Sequence, residues 1–186
     1  MRLFWERGYH ATSVRDLTDA MGINAYSLYA EFETKERLFE AALDHYDRTV
    51  VTGHFGTLEA AGASVDTVRE VVWFFGESAR RPGSHLGCLL CNAGTEQAPN
   101  REASYVITGR YTARLSAALA HALTEAKATG ALLDGAPVPA LAHHLTVVLM
   151  GLFVLMRSQA EDRVLRDAAE QALAYLDRFT ADGSKA

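Results

Sequence analysis

The chain has 186 residues, of which 49% are hydrophobic, and a formal net charge of −5 at pH 7. This length and apolar content suit an all-α globular protein of one or two domains, and the net acidity argues against a protein that coats nucleic acid non-specifically. Two cysteines do not make a disulfide framework, so a reducing, cytoplasmic setting is expected. The longest apolar run, 145–156, is too short to span a bilayer, and charges near the N-terminus argue against a signal peptide, so no membrane partner is expected.

A short amphipathic helix is predicted immediately before Gly22. Its apolar stripe, at steps of three and four residues, is Val14, Leu17 and Met21. Ser13 can cap this helix, and Asp16 three residues on completes a capping box. Gly22 can end the helix with a positive φ at low cost, and Ile23 after it is expected to be buried.

A second short helix is predicted from Ala25 to Phe32, with Asn24 as its N-cap. Leu28 and Phe32 face inward at a four-residue step. The outer face then carries small and hydroxyl-bearing side chains: Ala25, Tyr26, Ser27, Tyr29 and Ala30. Two short helices around a glycine turn, with such a face, indicate a helix-turn-helix and therefore double-stranded DNA as a partner.

Hydrophobic periodicity predicts about nine helices along the whole chain. The helix after the motif is capped by Thr34, and its buried face is predicted to be Phe39, Leu43, Tyr46 and Val50. The chain is then expected to loosen at Gly53, Gly56 and Gly62. Further helices are predicted near 66–79, 86–95, 100–128, 140–159 and 165–179. We therefore predict a three-helix, helix-turn-helix DNA-binding domain over 1–46 and a larger effector-binding and dimerisation domain over 47–186.

The segment LFWERGYHATSVRDLTDAMGINAYSLYAEFETKERLFEAAL resembles the DNA-binding part of the TetR family of bacterial regulators. The matching features are the F-x-x-x-G-Y run from Phe4, the Gly22-Ile23 turn, Ser27-Leu28-Tyr29, Phe32 and Thr34-Lys35-Glu36. The resemblance implies a repressor that a small hydrophobic or aromatic effector, or cysteine modification, releases from its operator. It also implies that the first helix of the family begins two to three turns before Met1, preceded by a basic arm.

Residue roles at the DNA follow from the resemblance and from side-chain chemistry. The resemblance implies that the positions of Ala25, Tyr26 and Ala30 face base edges, and that those of Ser27, Tyr29 and Lys35 hold phosphates. Arg15 has the side chain for a bidentate contact with guanine. The predicted DNA-binding set is therefore Ser13, Arg15, Asn24, Ala25, Tyr26, Ser27, Tyr29, Ala30 and Lys35.

The charge of the N-terminal segment supports an alternative function. Up to residue 48, six Arg and Lys stand against nine Asp and Glu, whereas DNA-binding segments are normally basic. A helical homodimer that binds or sequesters a small molecule, without binding DNA in this form, is the alternative. In both cases small residues along the last helix, Ala168, Ala169, Ala172 and Ala174, favour a homodimer through the last two helices.

Two candidate sites lie in the larger domain. Aromatic and polar side chains of the predicted C-terminal helices are expected to line an effector pocket: Trp73, Phe74, Tyr105, Tyr111, His121, His144, Met150 and Phe153.

No cofactor is expected, and no phosphate loop, H-E-x-x-H or G-x-S-x-G motif points to an enzyme.

Cys88 and Cys91 are the second candidate site. The run Gly87-Cys88-Leu89-Leu90-x-Asn92 resembles a segment of those family members that respond to electrophiles or oxidants through the cysteine. A helix N-terminus lowers the pKa of a thiol there, and Cys91 one turn on can resolve an oxidised Cys88. Both cysteines are otherwise small buried hydrophobes. A third alternative is a metal ion bound by both cysteines and His85, with His143 or His144 as a fourth ligand.

Overall fold

The computed structural model describes residues 1–78, 81, 83–96 and 105–181. Across these residues the chain forms nine helices and no β-strand, with a single isolated bridge between Leu132 and Thr180. This confirms the predicted all-α fold class.

The nine helices follow the apolar periodicity of the described sequence. In chain order they are α1 (Arg2–Arg7), α2 (Val14–Met21), α3 (Ala25–Phe32), α4 (Lys35–Tyr46, continuing through a π-helical segment Asp47–Val51 and Thr52–Glu59), α5 (Val65–Gly76), α6 (Leu89–Glu96), α7 (a π-helical segment Tyr105–Gly109 and Arg110–Ala128), α8 (Val138–Arg157) and α9 (Asp162–Asp177). A 3-10 turn, Ser84–Leu86, precedes α6.

Helix α4 is longer than the sequence predicts. Gly53 and Gly56 lie inside the helix rather than in a loop, so the prediction of a loosened chain at these two glycines is wrong. The apolar side chains of Val51, Phe55 and Leu58 are buried, and their burial outweighs the cost of about 1 kcal/mol for each glycine in a helix. One continuous helix therefore crosses the predicted domain boundary at residue 46, and the division into two domains stays a prediction.

The core of the larger part forms where α5, α7, α8 and α9 pack together. The predicted stripes on the last three of these helices face this core, with Leu119, Leu145 and Leu165 at most 1% exposed. Helix α5 approaches α9 closely, because a Cβ placed on Gly76 would lie only 2.5 Å from the Cβ of Ala169. Small residues on both helices make this close packing possible.

The tip of the helix-turn-helix is more exposed than predicted. Met21 and Ile23 are 43% and 40% exposed, so the expected burial of these two side chains is wrong. Each of α2, α3 and α4 buries a leucine: Leu17, Leu28 and Leu38. Met21 is the last residue of α2 and Ile23 lies in the turn after it.

Helix α8 has the composition of a buried helix. Among the described residues it is the one helix long and apolar enough, by length and composition alone, to cross a membrane, and 44% of its apolar window is buried inside the protein. It packs against α5, α7 and α9, which accounts for the buried half of its apolar side chains.

Candidate DNA-binding surface and regulatory cavity

Both helices of the helix-turn-helix begin at side-chain caps. Ser13 Oγ accepts a hydrogen bond from the Asp16 N–H at 3.1 Å, and the Asp16 carboxylate accepts one from the Ser13 N–H at 2.8 Å. Asn24 Oδ1 accepts from the Ser27 N–H at 2.8 Å. Gly22 joins the two helices in the left-handed conformation, with φ 66°. The local sequence therefore determines the motif, since each cap is made within three residues.

The outer face of α3 is free of protein contacts that would bury it. Tyr26 is 83% exposed and Tyr29 is 44% exposed, and Ala25, Ser27 and Ala30 are also exposed. Leu28, between them, is fully buried. A helix with this division holds its inner face to the protein and presents small and phenolic side chains outward, as a recognition helix does.

The two basic side chains predicted to contact DNA have protein partners in this structure. Arg15 is exposed and forms an ion pair of 3.7 Å with Asp19. Lys35 is half-buried, donates a hydrogen bond of 2.6 Å to the Tyr9 carbonyl, and its Nζ lies 4.2 Å from the centre of the Tyr9 ring. Contacts of Arg15 and Lys35 with DNA stay predictions.

Helix α1 is attached to the larger part of the protein by polar contacts of two adjacent residues in its C-terminal half, Trp5 and Glu6. Trp5 Nε1 donates to the Leu86 and Gly87 carbonyls, both at 3.1 Å. The Arg157 guanidinium, at the end of α8, donates to the Glu6 carbonyl at 2.8 Å. These contacts hold the start of the DNA-binding part on the turn before α6.

Glu96 makes the second attachment. Its carboxylate, at the C-terminal end of α6, accepts hydrogen bonds from the Tyr9 N–H at 2.8 Å and the His10 N–H at 2.7 Å. Gly8 allows this approach, because its φ is 86° and a Cβ there would lie 2.7 Å from Glu96 Oε2. Helix α6 is therefore linked to the DNA-binding part by the residues before it and by its last residue. Nothing in the local sequence pattern around Glu96 signals this contact.

A cavity of about 230 Å³ lies between α4, α5, α8 and the turn before α6. Three of the predicted pocket residues line it: Phe74, Tyr111 and Phe153. Phe75 also lines the cavity. Most of the other lining residues were not predicted for this pocket from the sequence, among them Trp5, Tyr46, His54, Phe55, Arg81 and Cys88. The walls are thus largely aromatic, and the Arg81 guanidinium lies 4.0 Å from the centre of the Phe74 ring.

The remaining predicted pocket residues lie elsewhere or outside the described side chains. Trp73 is 40% exposed and does not line the cavity. The His121 ring lies 3.2 Å from the Ala60 carbonyl, and His144 lies against Tyr175 on the α8–α9 surface with ring centres 5.2 Å apart. Met150 is half-buried beside Cys91. The side chain of Tyr105 is outside the described residues. The spacing of aromatic and histidine residues in the sequence does not show which of them line the cavity and which lie on the surface.

Cys88 lies at the start of α6, with its side chain among four hydrogen-bond donors. Burial raises the pKa of the Cys88 thiol, but the Cys91 thiol and backbone N–H and the hydroxyls of Tyr111 and Tyr46 stabilise the thiolate and together lower this pKa to about 7. The Cys88 carbonyl accepts a hydrogen bond from the Asn92 N–H at 2.9 Å, so Cys88 is the N-cap residue of α6. A thiolate here also gains from the helix dipole.

Cys91 stays protonated beside it. The hydrogen bond to Cys88, followed by burial, raises the pKa of the Cys91 thiol well above its ordinary value. Burial and the negative charge of Cys88 likewise raise the pKa of Tyr46 and of Tyr111. The geometry therefore supplies one nucleophilic sulfur and three groups that keep their protons to donate to it.

The metal site with histidine does not form. His85, His143 and His144 are exposed, whereas both cysteines are buried. Within the described part of the chain, no group of three His, Cys, Asp or Glu side chains is placed to hold a metal ion.

A larger cleft, of about 920 Å³, opens between α4 and α7. Its walls combine apolar and aromatic side chains with four carboxylates, those of Glu36, Glu40, Asp44 and Asp47, and with Arg110 and Arg114. Arg114 is already bound by Asp47 at 2.9 Å and by Glu59 at 2.7 Å. With six charged side chains in its walls, this cleft suits a small apolar ligand less well than the aromatic cavity does.

An apolar surface runs along α8 and α9. Val147 and Val154 on α8 are 70% and 58% exposed, and Val164 and Tyr175 on α9 are 42% and 40% exposed. A groove lies between the two helices, lined by Ala140, His144, Val148, Ala168, Gln171, Ala172 and Tyr175. Contiguous exposed apolar side chains of this kind mark interaction surfaces.

Comparisons with known proteins agree with this arrangement. The family described as "Bacterial regulatory proteins, tetR family" matches residues 1–42. The HTH-type transcriptional repressor ComR of Escherichia coli K12 is 30% identical over 177 residues, 93% of this chain and 83% of ComR. The HTH-type transcriptional regulator YezE of Bacillus subtilis 168 is 29% identical over 178 residues, 95% of this chain and 92% of YezE. A cysteine mutant of the TetR family transcriptional regulator CifR, solved with 26-bp double-strand operator DNA, matches at a TM-score of 0.75 and 28% identity, over 91% of this chain and 89% of that one.

An exposed recognition helix, carried by an all-helical body with a separate cavity, defines a ligand-responsive DNA-binding transcriptional regulator. The chain belongs to the TetR family of bacterial regulatory proteins.

Proposed function

We propose that the protein is a homodimeric transcriptional repressor whose operator binding is controlled from the cavity that α4 lines. The observation that carries this proposal is the position of α4. The same helix packs Leu38 and Phe39 into the DNA-binding part and presents Tyr46, Val50 and Phe55 to the cavity. Because one continuous helix makes both sets of contacts, a displacement of α4 at the cavity would be transmitted to the DNA-binding part.

At the DNA, α3 is the recognition helix. Tyr26, with Ala25 and Ala30 beside it, meets base edges, and Ser27 and Tyr29 position the protein on phosphates. Arg15 leaves its long, exposed ion pair with Asp19 and Lys35 leaves the Tyr9 carbonyl when phosphate or guanine is available. ComR, which is similar over most of its length, is a repressor, and this supports repression as the direction of control.

The apolar surface of α8 and α9 supports the homodimer. Pairing α8 and α9 with the same helices of a second copy would cover Val147, Val154 and Tyr175 in a four-helix interface. Two recognition helices would then be held at a fixed separation, which has to match DNA half-sites about 34 Å, or a multiple of that distance, apart. Val147→Glu should leave a folded monomer in sedimentation velocity, whereas the exposed α4 variant Thr57→Glu should remain a dimer.

Release follows from filling the cavity. Its volume of about 230 Å³ and aromatic walls, with Arg81 as a cation, suit a small aromatic or hydrophobic molecule that carries an acidic or hydrogen-bond-accepting group. Such a molecule would contact Tyr46 and Phe55 on α4, and a tilt of α4 on binding would change the separation of the two recognition helices. We propose modification of the Cys88 thiolate as a second input, since Cys88 lies in the same cavity.

The test is a fluorescence-anisotropy titration with labelled DNA from the region flanking the gene, at two salt concentrations and with a scrambled competitor. We expect tight, salt-dependent binding that resists the competitor. Tyr26→Ala should lose the preference for the operator over the scrambled duplex, and Tyr26→Phe is the matched control that keeps the ring. Failure of the wild-type dimer to prefer any selected duplex would contradict the proposal.

Two chemical probes distinguish effector binding in the cavity from modification of Cys88 as causes of operator release. The aromatic sulfonate 8-anilinonaphthalene-1-sulfonate should bind the cavity and lower operator affinity, and Phe74→Ala should weaken both effects. N-ethylmaleimide should lower operator affinity in the wild type and leave Cys88→Ser unaffected. If N-ethylmaleimide lowers the operator affinity of Cys88→Ser as much as that of the wild type, the Cys88 thiol is not the second input. The proposal places the protein in the cytoplasm and assigns it no catalytic role.

A further inference from the structure

The aromatic cavity has one side that favours an anion. Of the described residues that line it, Arg81 carries a permanent positive charge and His54 can acquire one, whereas none is an Asp or a Glu. We propose that Arg81 and His54 form a carboxylate-binding pair, and that the effector of this cavity is an aromatic carboxylate. The inference rests on the proposed function and names the class of ligand that the cavity selects.

The Phe74 ring holds the two groups beside the same part of the cavity. The Arg81 guanidinium lies 4.0 Å from the centre of the Phe74 ring, and the ring centres of His54 and Phe74 are 4.9 Å apart. Contact with an aromatic ring occupies the face of a guanidinium. The N–H donors along its edge stay available, and their geometry matches the two oxygens of a carboxylate.

The remainder of the cavity suits an aromatic ring. The ring centres of Phe75 and Phe153 lie 4.8 Å apart with their planes at 90°, and both side chains are buried. A cavity of about 150 Å³ holds benzene, so the volume of about 230 Å³ here is enough for one ring together with a carboxylate. Arg81 is exposed, so the carboxylate would face the mouth of the cavity and the ring its interior.

His54 couples the binding of a carboxylate to a proton. Burial, followed by the charge of Arg81, lowers the pKa of His54, so its ring is neutral in the empty cavity at pH 7. A carboxylate beside the ring favours the charged form and raises this pKa. Binding then takes up a proton. Affinity therefore increases as the pH falls from the pKa of His54 in the complex towards its lower pKa in the free protein.

Three other titratable side chains line the cavity in the described part of the chain: Tyr46, Cys88 and Tyr111. Burial and the negative charge of Cys88 raise the pKa of both tyrosines, so they stay uncharged. Cys88 differs, because its pKa is about 7 and its thiolate would repel a carboxylate at higher pH. Cys88→Ser removes this contribution, and the remaining pH dependence belongs to His54.

Ligand selection is tested first on the whole protein without DNA, by isothermal titration calorimetry. Benzoate and benzamide are the probes, since they have nearly the same shape and differ in charge. We expect benzoate to bind at least about tenfold more tightly than benzamide, and Arg81→Gln to remove most of this preference. Arg37→Gln is the matched control and should bind as the wild type does, because it removes an exposed arginine that does not line the cavity.

Proton uptake is measured in the Cys88→Ser background. Benzoate is titrated at about pH 7 in two buffers of different ionisation enthalpy, and the ligand itself stays ionised because carboxyl groups titrate near pH 4. We expect a fraction of a proton to be taken up on binding. The double variant Cys88→Ser, His54→Gln should take up none, because its amide donates a hydrogen bond but cannot be charged.

Four results would overturn the site: no binding of benzoate, equal affinity for benzoate and benzamide, equal losses in Arg81→Gln and Arg37→Gln, or proton uptake that persists without His54. The operator titration is then repeated with benzoate. Lower operator affinity in the wild type but not in Arg81→Gln supports the effector role, and unchanged affinity with benzoate bound overturns it. If the ligand-free protein binds no operator, the proposed function fails while the calorimetry still decides the site.

Discussion

Replacing Gly8 with alanine is the sharpest test of the attachment between α6 and the DNA-binding part. Gly8 has φ 86° and ψ 175°, a region that only glycine adopts readily, so alanine there costs about 2 kcal/mol of backbone strain. The new Cβ would also lie 2.7 Å and 2.9 Å from the two Glu96 carboxylate oxygens. The carboxylate cannot move away without giving up its hydrogen bonds to the Tyr9 and His10 amides.

The backbone strain and the lost hydrogen bonds to Glu96 together give the expected loss of stability in Gly8→Ala. Hydrogen bonds to a charged acceptor contribute about 1.5–3 kcal/mol each, and partial exposure of this pair reduces their sum to about 2 kcal/mol. The total loss for Gly8→Ala is then about 4 kcal/mol, which lowers the Tm of a chain of this size by about 12 °C. Gly22→Ala is the matched control, because Gly22 also has positive φ but an added Cβ would meet nothing within 4 Å. We expect its Tm to fall by about 4 °C.

The assay is thermal unfolding followed by circular dichroism at one fixed protein concentration, since dimerisation makes Tm concentration-dependent. A double-mutant cycle with Glu96→Ala isolates the contact. In that background the amide hydrogen bonds are already absent, so Gly8→Ala should cost about 2 kcal/mol less than in the wild type. Additive effects of the two substitutions, or equal losses for Gly8→Ala and Gly22→Ala, would refute the inferred attachment.

Three further outcomes are expected. Gly76→Ala should lower the free energy of unfolding in urea by about 1–3 kcal/mol, because the added Cβ would lie 2.5 Å from a side chain of α9. The control Gly53→Ala has open space around the added Cβ and should stabilise α4 by up to about 1 kcal/mol. A change of the same sign in both variants would contradict the close packing of α5 and α9. Tyr29→Ala should weaken binding to all duplexes alike in anisotropy titrations, as loss of a phosphate contact does, and a loss confined to one base pair would speak against that role. The rate of Cys88 alkylation by iodoacetamide, mapped by mass spectrometry, should rise as the pH passes about 7, because the thiolate fraction grows there. Tyr46→Phe removes a hydrogen-bond donor to the thiolate and should move the midpoint of this rise to higher pH. An unchanged midpoint would show that the Tyr46 hydroxyl does not lower the pKa of Cys88.

Much of the DNA-binding motif can be predicted from local sequence. The caps at Ser13 and Asn24, the turn at Gly22 and the inward Leu28 depend on interactions within four residues, and the structure has all of them. Helix length is less predictable. Gly53 and Gly56 suggest a break, yet packing of α4 against neighbours that are distant in sequence keeps the helix continuous.

The regulatory features depend on contacts between distant segments. Apolar periodicity in the sequence determines that α8 and α9 are helices and which of their faces are buried, because that pattern needs only the helical repeat. It does not determine which helix covers each face. Only the tertiary structure brings His54 to the Phe74 ring, and the Glu96 carboxylate to the amides that follow Gly8. Such pairings follow from how packed helices cross, which no local pattern specifies.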